Sequence, residues 1–326
     1  MESSSTWRLD GATALIGLAV LAVALIVGIR QDNKGIVDID QLVYERTLQS
    51  MADGDGYYDA TVRALAQKDG APPTQVRSIR PPLLFVGLYS VPENARRPLA
   101  LVPCAALLLG AAALAGRRAA SQRAAVVLTG VWILVSFPTL YLHSELWGAP
   151  FLLGAALYVQ RDRDAPAAGL LFVATLLREL FALGLLVGLA LRPNRRPWAL
   201  ATVAAAVAWL VHAKLASRVV DPAGYDPPLK MEKNPLHYLS PGDTGAAWIV
   251  GAILLALGAI GAWQRRNDPH VRYLVAVAAP LLVLTPLVGR QYWTLTWCIP
   301  WAVLAATPIV AAIDRVRGSR DPALAS

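Results

Sequence analysis

Apolar runs of about twenty residues, separated by short arginine-bearing segments, repeat along this sequence and leave few folds open to it. About 20 helical residues at 1.5 Å each cross the ~30 Å hydrocarbon core of a bilayer. Runs of that order cover residues 11–29, 99–115, 198–214 and 245–263, and longer ones cover 124–159, 165–191 and 271–313. With 326 residues, 56% hydrophobic and only 16% charged, the chain is too apolar to be one or two soluble domains of that size. The reading is an all-α, polytopic membrane protein forming a single domain over 1–326. The formal net charge is +8, but the arginines lie between the apolar runs, where membrane orientation accounts for them, so no nucleic-acid partner is expected. The first run has no small-residue cleavage site and exceeds a signal-peptide core, which predicts an uncleaved anchor.

The arginines order the spans. Run 124–159 is too long for one crossing, is bounded by Arg123 and Arg161, and is interrupted by His143, Ser144 and Glu145. Basic flanks on one side require an even number of crossings, so it predicts a helical hairpin with His143 and Glu145 at its far tip. Run 165–191 repeats this on a smaller scale, with Arg178 and Glu179 midway, and predicts two short helices meeting at a wet junction; one long tilted helix with a buried ion pair is the alternative. Run 271–313 predicts a last hairpin with Arg290 at its tip. The total is about ten transmembrane helices including the two short ones, with both termini cytoplasmic. Two long extracytoplasmic loops, 31–82 and 217–244, complete the domain. In the first, apolar positions at helical spacing over 37–51 and 58–65, split by Gly54 and Gly56, predict two interfacial helices.

This topology gathers the costly polar groups on one face. They are Asp53, Asp55, Asp59, Arg77 and Arg80, then His143, Glu145, Arg178, Glu179 and Arg290, with Tyr57 and Tyr58 beside them. Cations and carboxylates next to apolar walls suit a substrate with an anionic head and a greasy tail. Arginine grips phosphate oxygens in pairs and keeps its charge at low dielectric, and a carboxylate near an acceptor hydroxyl can act as general base. Simpler roles stand beside these: Asp53 and Asp55 as turn residues, Asp59 or Glu145 as helix caps, Arg178 with Glu179 as a structural pair, the tyrosines as interfacial aromatics. Cys104 and Cys298 lie inside apolar runs and indicate neither a disulfide framework nor a thiolate metal site. His143, His212, His237 and His270 fit no metal-ligand spacing.

The acidic first loop with Gly54-Asp55-Gly56-Tyr57-Tyr58, the Ser144-Glu145-Leu146-Trp147 start of a span and the Leu177-Arg178-Glu179-Leu180 junction resemble the GT-C superfamily of integral-membrane glycosyltransferases, in a compact bacterial branch. The resemblance implies a multi-pass protein of the bacterial inner membrane. It implies transfer of a sugar, with inversion, from a polyprenyl-phosphate-linked donor to an extracytoplasmic glycan, lipid or protein acceptor. It also implies a first-loop aspartate as base, best matched by Asp55 with Asp53 in reserve. Arg80, Tyr58, His143, Glu145, Arg178, Glu179 and Arg290 are the expected donor- and substrate-binding residues. No cofactor is specified, and a divalent metal ion is left open. A lipid-linked-saccharide flippase or transporter, which needs no base, and a non-catalytic membrane protein are the alternatives.

Overall fold

The structure is a computed structural model that describes residues 9–32, 39–75, 79–116, 118–224, 245–288 and 294–320. Among these residues it is all-helical, without strands. The first helix, α1 (Gly11–Asp32), is followed by an antiparallel pair, α2 (Ile39–Ala52) and α3 (Tyr57–Asp69), and by short α4 (Leu83–Leu88). Next come α5 (Glu93–Leu99), α6 (Leu101–Leu114), α7 (Ala119–Leu140), α8 (Ser144–Gln160), α9 (Asp164–Leu177) and α10 (Ala182–Leu191). The series ends with α11 (Arg195–Ala216), α12 (Gly245–Gln264), α13 (Pro269–Val288) and α14 (Thr294–Arg320).

Among the described residues four helical stretches are long and apolar enough to cross a membrane: Gly11–Arg30, Glu93–Leu114, Arg195–Ala216 and Ile299–Val316. Their outward faces carry Leu15, Leu18 and Ile26 on α1 and Leu200, Val203, Val207 and Leu210 on α11, all exposed. A helix that is apolar on its outer face as well as its inner one is at home in lipid rather than water. Ala119–Leu134, Asp164–Leu177, Glu179–Leu191, Gly251–Gln264 and Pro269–Val283 are apolar but shorter. The run expected at 99–115 begins earlier, at Glu93, because α5 passes into α6 through the single residue Ala100.

One end of the bundle is tied by ion pairs between distant parts of the chain. Arg123 at the start of α7 meets Asp10 before α1 at 2.9 Å, and Arg118 meets Asp314 of α14 at 2.7 Å. Asp10 and Asp314 therefore lie at the same end of the bundle. Arg192 after α10 returns to the start of α9, with its Nε 2.7 Å from Asp164 and its Nη2 2.7 Å from Asp162. Asp164 also accepts from Trp198 Nε1 at 3.1 Å. A straight helix over residues 165–191 would hold its ends about 40 Å apart. Their contact shows that the chain doubles back, so the single tilted helix is excluded. At ~21 Å and ~15 Å, α9 and α10 are each too short for a full crossing. The opposite end of the bundle holds the α2–α3 pair, the turn at 141–143 and the break at Arg178. The tip expected around Arg290 lies outside the described residues.

Candidate functional site

The site is built where two helices start or stop. Helix α9 ends at Leu177, Arg178 is extended (φ −153°, ψ 123°), and residues Glu179–Phe181 make one 3-10 turn before α10. This turn is pressed onto the beginning of α8. A Cβ on Gly148 would lie 2.2 Å from Phe181 Cε2, so only glycine lets the ring seat there. The break thereby delivers Arg178 to Glu145, Nε to Oε1 at 2.7 Å, and to Glu179, Nη1 to Oε1 at 3.1 Å. His143 Nδ1 stands 4.0 Å from the other Glu145 oxygen, which also receives the Ser144 hydroxyl at 3.3 Å. Arg178 and His143 are 0% exposed and Glu145 is 1% exposed, whereas Glu179 keeps 34% of its side chain accessible. Two carboxylates around one guanidinium offset the large cost of burying each charge.

Glu179 opens onto an apolar groove of about 710 Å³ between α4, α9, α10 and α11, with Val86, Leu186 and Trp209 among its walls. Its polar end is set by Glu179, Tyr58 and His212. The His212 Nε2 faces the Ile79 carbonyl at 3.2 Å, and a carbonyl only accepts, so Nε2 carries a proton. In the neutral ring Nδ1 then accepts the Tyr58 hydroxyl at 3.1 Å. Tyr57 donates to the Arg80 carbonyl at 2.5 Å, fixing the chain where it enters α4. Arg80 is half-buried, and its charge acts on both Glu179 and Asp40.

Asp40, in the first turn of α2, is the acidic residue among the described residues of the first loop that the fold brings to this cluster. It forms an ion pair with Lys68 of α3 and lies in the fields of His143 and Arg80. Burial pushes its carboxyl up, but Lys68, His143 and Arg80 outweigh that and hold it below the ordinary value. The carboxylate is therefore ionised at neutral pH and remains 23% exposed. Tyr44, one turn further along α2, packs edge-on against the His143 ring at 5.1 Å and against Phe85 at 5.4 Å.

Asp53 and Asp55 lie elsewhere. They occupy the α2–α3 turn, beside a small pocket of about 290 Å³ that shares no residue with the groove. Asp55 is held by Arg63 at 2.8 and 3.2 Å and by the Ser50 hydroxyl; this hydrogen bond, with Arg63, keeps its carboxyl low. Asp53 is exposed and accepts from Gln49 at 3.1 Å. The structure thus groups Tyr58, Arg80, His143, Glu145, Arg178 and Glu179 from the expected set, and leaves Asp53 and Asp55 apart. Asp59 is exposed and caps nothing: the N-cap of α3 is Gly56, without a side-chain cap. Glu145 does not cap α8 either.

Comparison with family models, with curated proteins and with solved structures finds no match.

The geometry can do three things chemically. Lys68 and Arg80 present accessible positive charge, Asp40 can receive a proton, and Glu179, Tyr58 and His212 can bond hydroxyl groups at the head of an apolar groove. Among the described residues no three His, Cys, Asp or Glu side chains gather as a metal-ligand set, and Asp40, Glu145 and Glu179 are each engaged by a cation. Asp40, Lys68 and His212 were outside the residues singled out from sequence. The signal available for Asp40 was a carboxylate in the first turn of an amphipathic helix directly after the first span.

Proposed function

We propose that the chain is an integral-membrane glycosyltransferase of the GT-C type, acting on a polyprenyl-phosphate-linked sugar in the bacterial inner membrane, and that Asp40 is its general base. The observation carrying this reading is the juxtaposition of an ionised, partly accessible carboxylate, Asp40, with Lys68 and Arg80, the arginine's charge acting also on Glu179 at the polar end of the apolar groove. The proposal includes about ten spans, both termini cytoplasmic, and a site at the extracytoplasmic surface. In support, Asp10 and Asp314 are tied to one end of the bundle and the carboxylate cluster lies at the other.

The polyprenyl chain lies along the groove walls, and its phosphate faces Arg80 and Lys68. The acceptor hydroxyl oxygen attacks the anomeric carbon from the side opposite the phosphate. As that bond forms, the bond from the anomeric carbon to the phosphate oxygen breaks. The proton passes to Asp40, and the electron pair leaves with the lipid phosphate, whose charge the two cations neutralise. Glu179 accepts from sugar hydroxyls. Arg178 is fully buried and holds Glu145 and Glu179 in place, so it positions other groups rather than clamping phosphate.

The test is incubation of the purified protein in nanodiscs with labelled polyprenyl-phosphate sugars. The expected result is release of polyprenyl phosphate with the sugar on an acceptor or, without one, on water. A flippase would use the same groove and cations and would move the label between leaflets with its glycosidic bond intact.

A further inference from the structure

A second cavity, of about 620 Å³, lies beside α2 at Glu45 and shares no residue with the groove. Its polar walls are Glu45 of α2, Glu93, Asn94 and Arg97 of α5, and Tyr141 after α7, with Leu25, Ile29 and Pro98 forming an apolar strip. These groups are placed by one another. The Tyr141 hydroxyl donates to Glu45, and the Arg97 guanidinium stacks on the Tyr141 ring with its carbon 4.5 Å from the centroid. Gln41 Nε2 donates to Glu45 at 3.3 Å, while Gln41 Oε1 accepts the Leu142 backbone N–H at 3.1 Å. Arg97 is only 7% exposed and passes over bare backbone at Gly28, where a Cβ would come within 2.8 Å of its Nη1.

The chemistry of this lining selects its ligand. Two carboxylates accept, a guanidinium and an amide donate, and the apolar strip matches a C–H face. The two carboxylates against one guanidinium oppose a phosphate-bearing anion, and the volume falls in the about 300–1,000 Å³ range of ligand pockets. We propose that this cavity is a saccharide-binding site for a neutral, polyhydroxylated ligand. On the transferase reading it is where the acceptor's sugar docks; that role rests on the reading above, while the binding does not. Tyr141 lines this cavity and His143, two residues on, belongs to the carboxylate cluster, so one short turn walls both sites.

Saturation-transfer NMR on the nanodisc-embedded full chain tests it, with methyl α-mannoside, methyl α-glucoside and methyl β-galactoside as probes. Wild type is expected to bind at least one. Exposed Asn94→Ala removes a hydrogen-bonding side chain and Glu93→Gln exchanges a charged acceptor for a weaker neutral one, and each should weaken binding by about fivefold to tenfold. Gly28→Ala should weaken it by displacing Arg97, and Asp53→Asn, in the separate α2–α3 turn, should leave it unchanged. No binding of any glycoside by folded wild type overturns the proposal. So does binding abolished by Asp40→Asn but indifferent to Gly28→Ala and Asn94→Ala, or displacement of the glycoside by inorganic phosphate. Glycoside binding in a protein that transfers no sugar sustains the site and removes only its acceptor role.

Discussion

At the scale of single residues the account turns on the division between accessible and buried charges. Asp40 has a carboxyl held below its ordinary value of 3.8 because its cationic neighbours outweigh its burial. A depressed carboxyl contributes stability that is complete above the ordinary value and is lost as pH falls through the folded one. The same sign governs catalysis. The rate should stay level from neutrality down to about pH 4, where a carboxylate with the ordinary value would already be nearly half protonated, and fall only below that; a pH–rate profile checks this. Arg178 carries the opposite kind of prediction. Replacing it with methionine strands Glu145 and Glu179 together, and removing one partner of a buried pair costs about 3–5 kcal/mol. Thermal melting in nanodiscs should show that loss, whereas Arg80→Met should leave melting nearly unchanged and reduce transfer. The sequence made Arg178 and Glu179 conspicuous, because charge inside an apolar run is costly. Asp40 was hidden among ordinary surface acids. What distinguishes it is its neighbours Lys68, Arg80 and His143, which only the folded chain brings together.

At the scale of elements, the broken α9–α10 hairpin decides where the site is. Its base is closed by Arg192 with Asp164 and its tip by Phe181 in the recess at Gly148. Gly148→Ala should force the ring out and cost about 1–3 kcal/mol as an overpacked core does, with a matching drop in thermal melting. Activity should fall further than stability, since Arg178 and Glu179 precede Phe181 by three and two residues in one tight turn. The hairpin was legible from its arginine flanks and central charges, and so were the paired helices of the first loop, from their apolar spacing. The orientation of the α2–α3 pair was not legible. Hydrophobic periodicity marks the buried face of each helix, but Asp53 and Asp55 sit in the turn between the helices, and only the packing of α2 on the rest of the bundle shows that Asp40 is the acid brought near His143 and Arg80.

At the scale of the whole molecule, the account requires one end of the bundle in the cytoplasm and the other outside. Cysteines introduced at exposed Asp53 and Gly70 should react with an impermeant thiol reagent on intact cells, and those at Asp162 and Asn194 only after permeabilisation. The reverse pattern would invert the membrane orientation. The all-helical class and the membrane-length runs were legible in composition and arginine spacing alone. The site was only half legible, because it is assembled from α2, α3, the 141–145 turn and the α9–α10 break, which lie far apart in the sequence. The central claim is that Asp40 takes the acceptor's proton. It is tested most directly by the turnover of Asp40→Asn beside Asp55→Asn, both purified, folded and supplied with the same polyprenyl-phosphate sugar. The account predicts that Asp40→Asn lowers turnover by about 10²–10⁴-fold, the usual share of a general base, while Asp55→Asn stays within about threefold of wild type. Full turnover in Asp40→Asn, with the loss falling on Asp55→Asn, would contradict it.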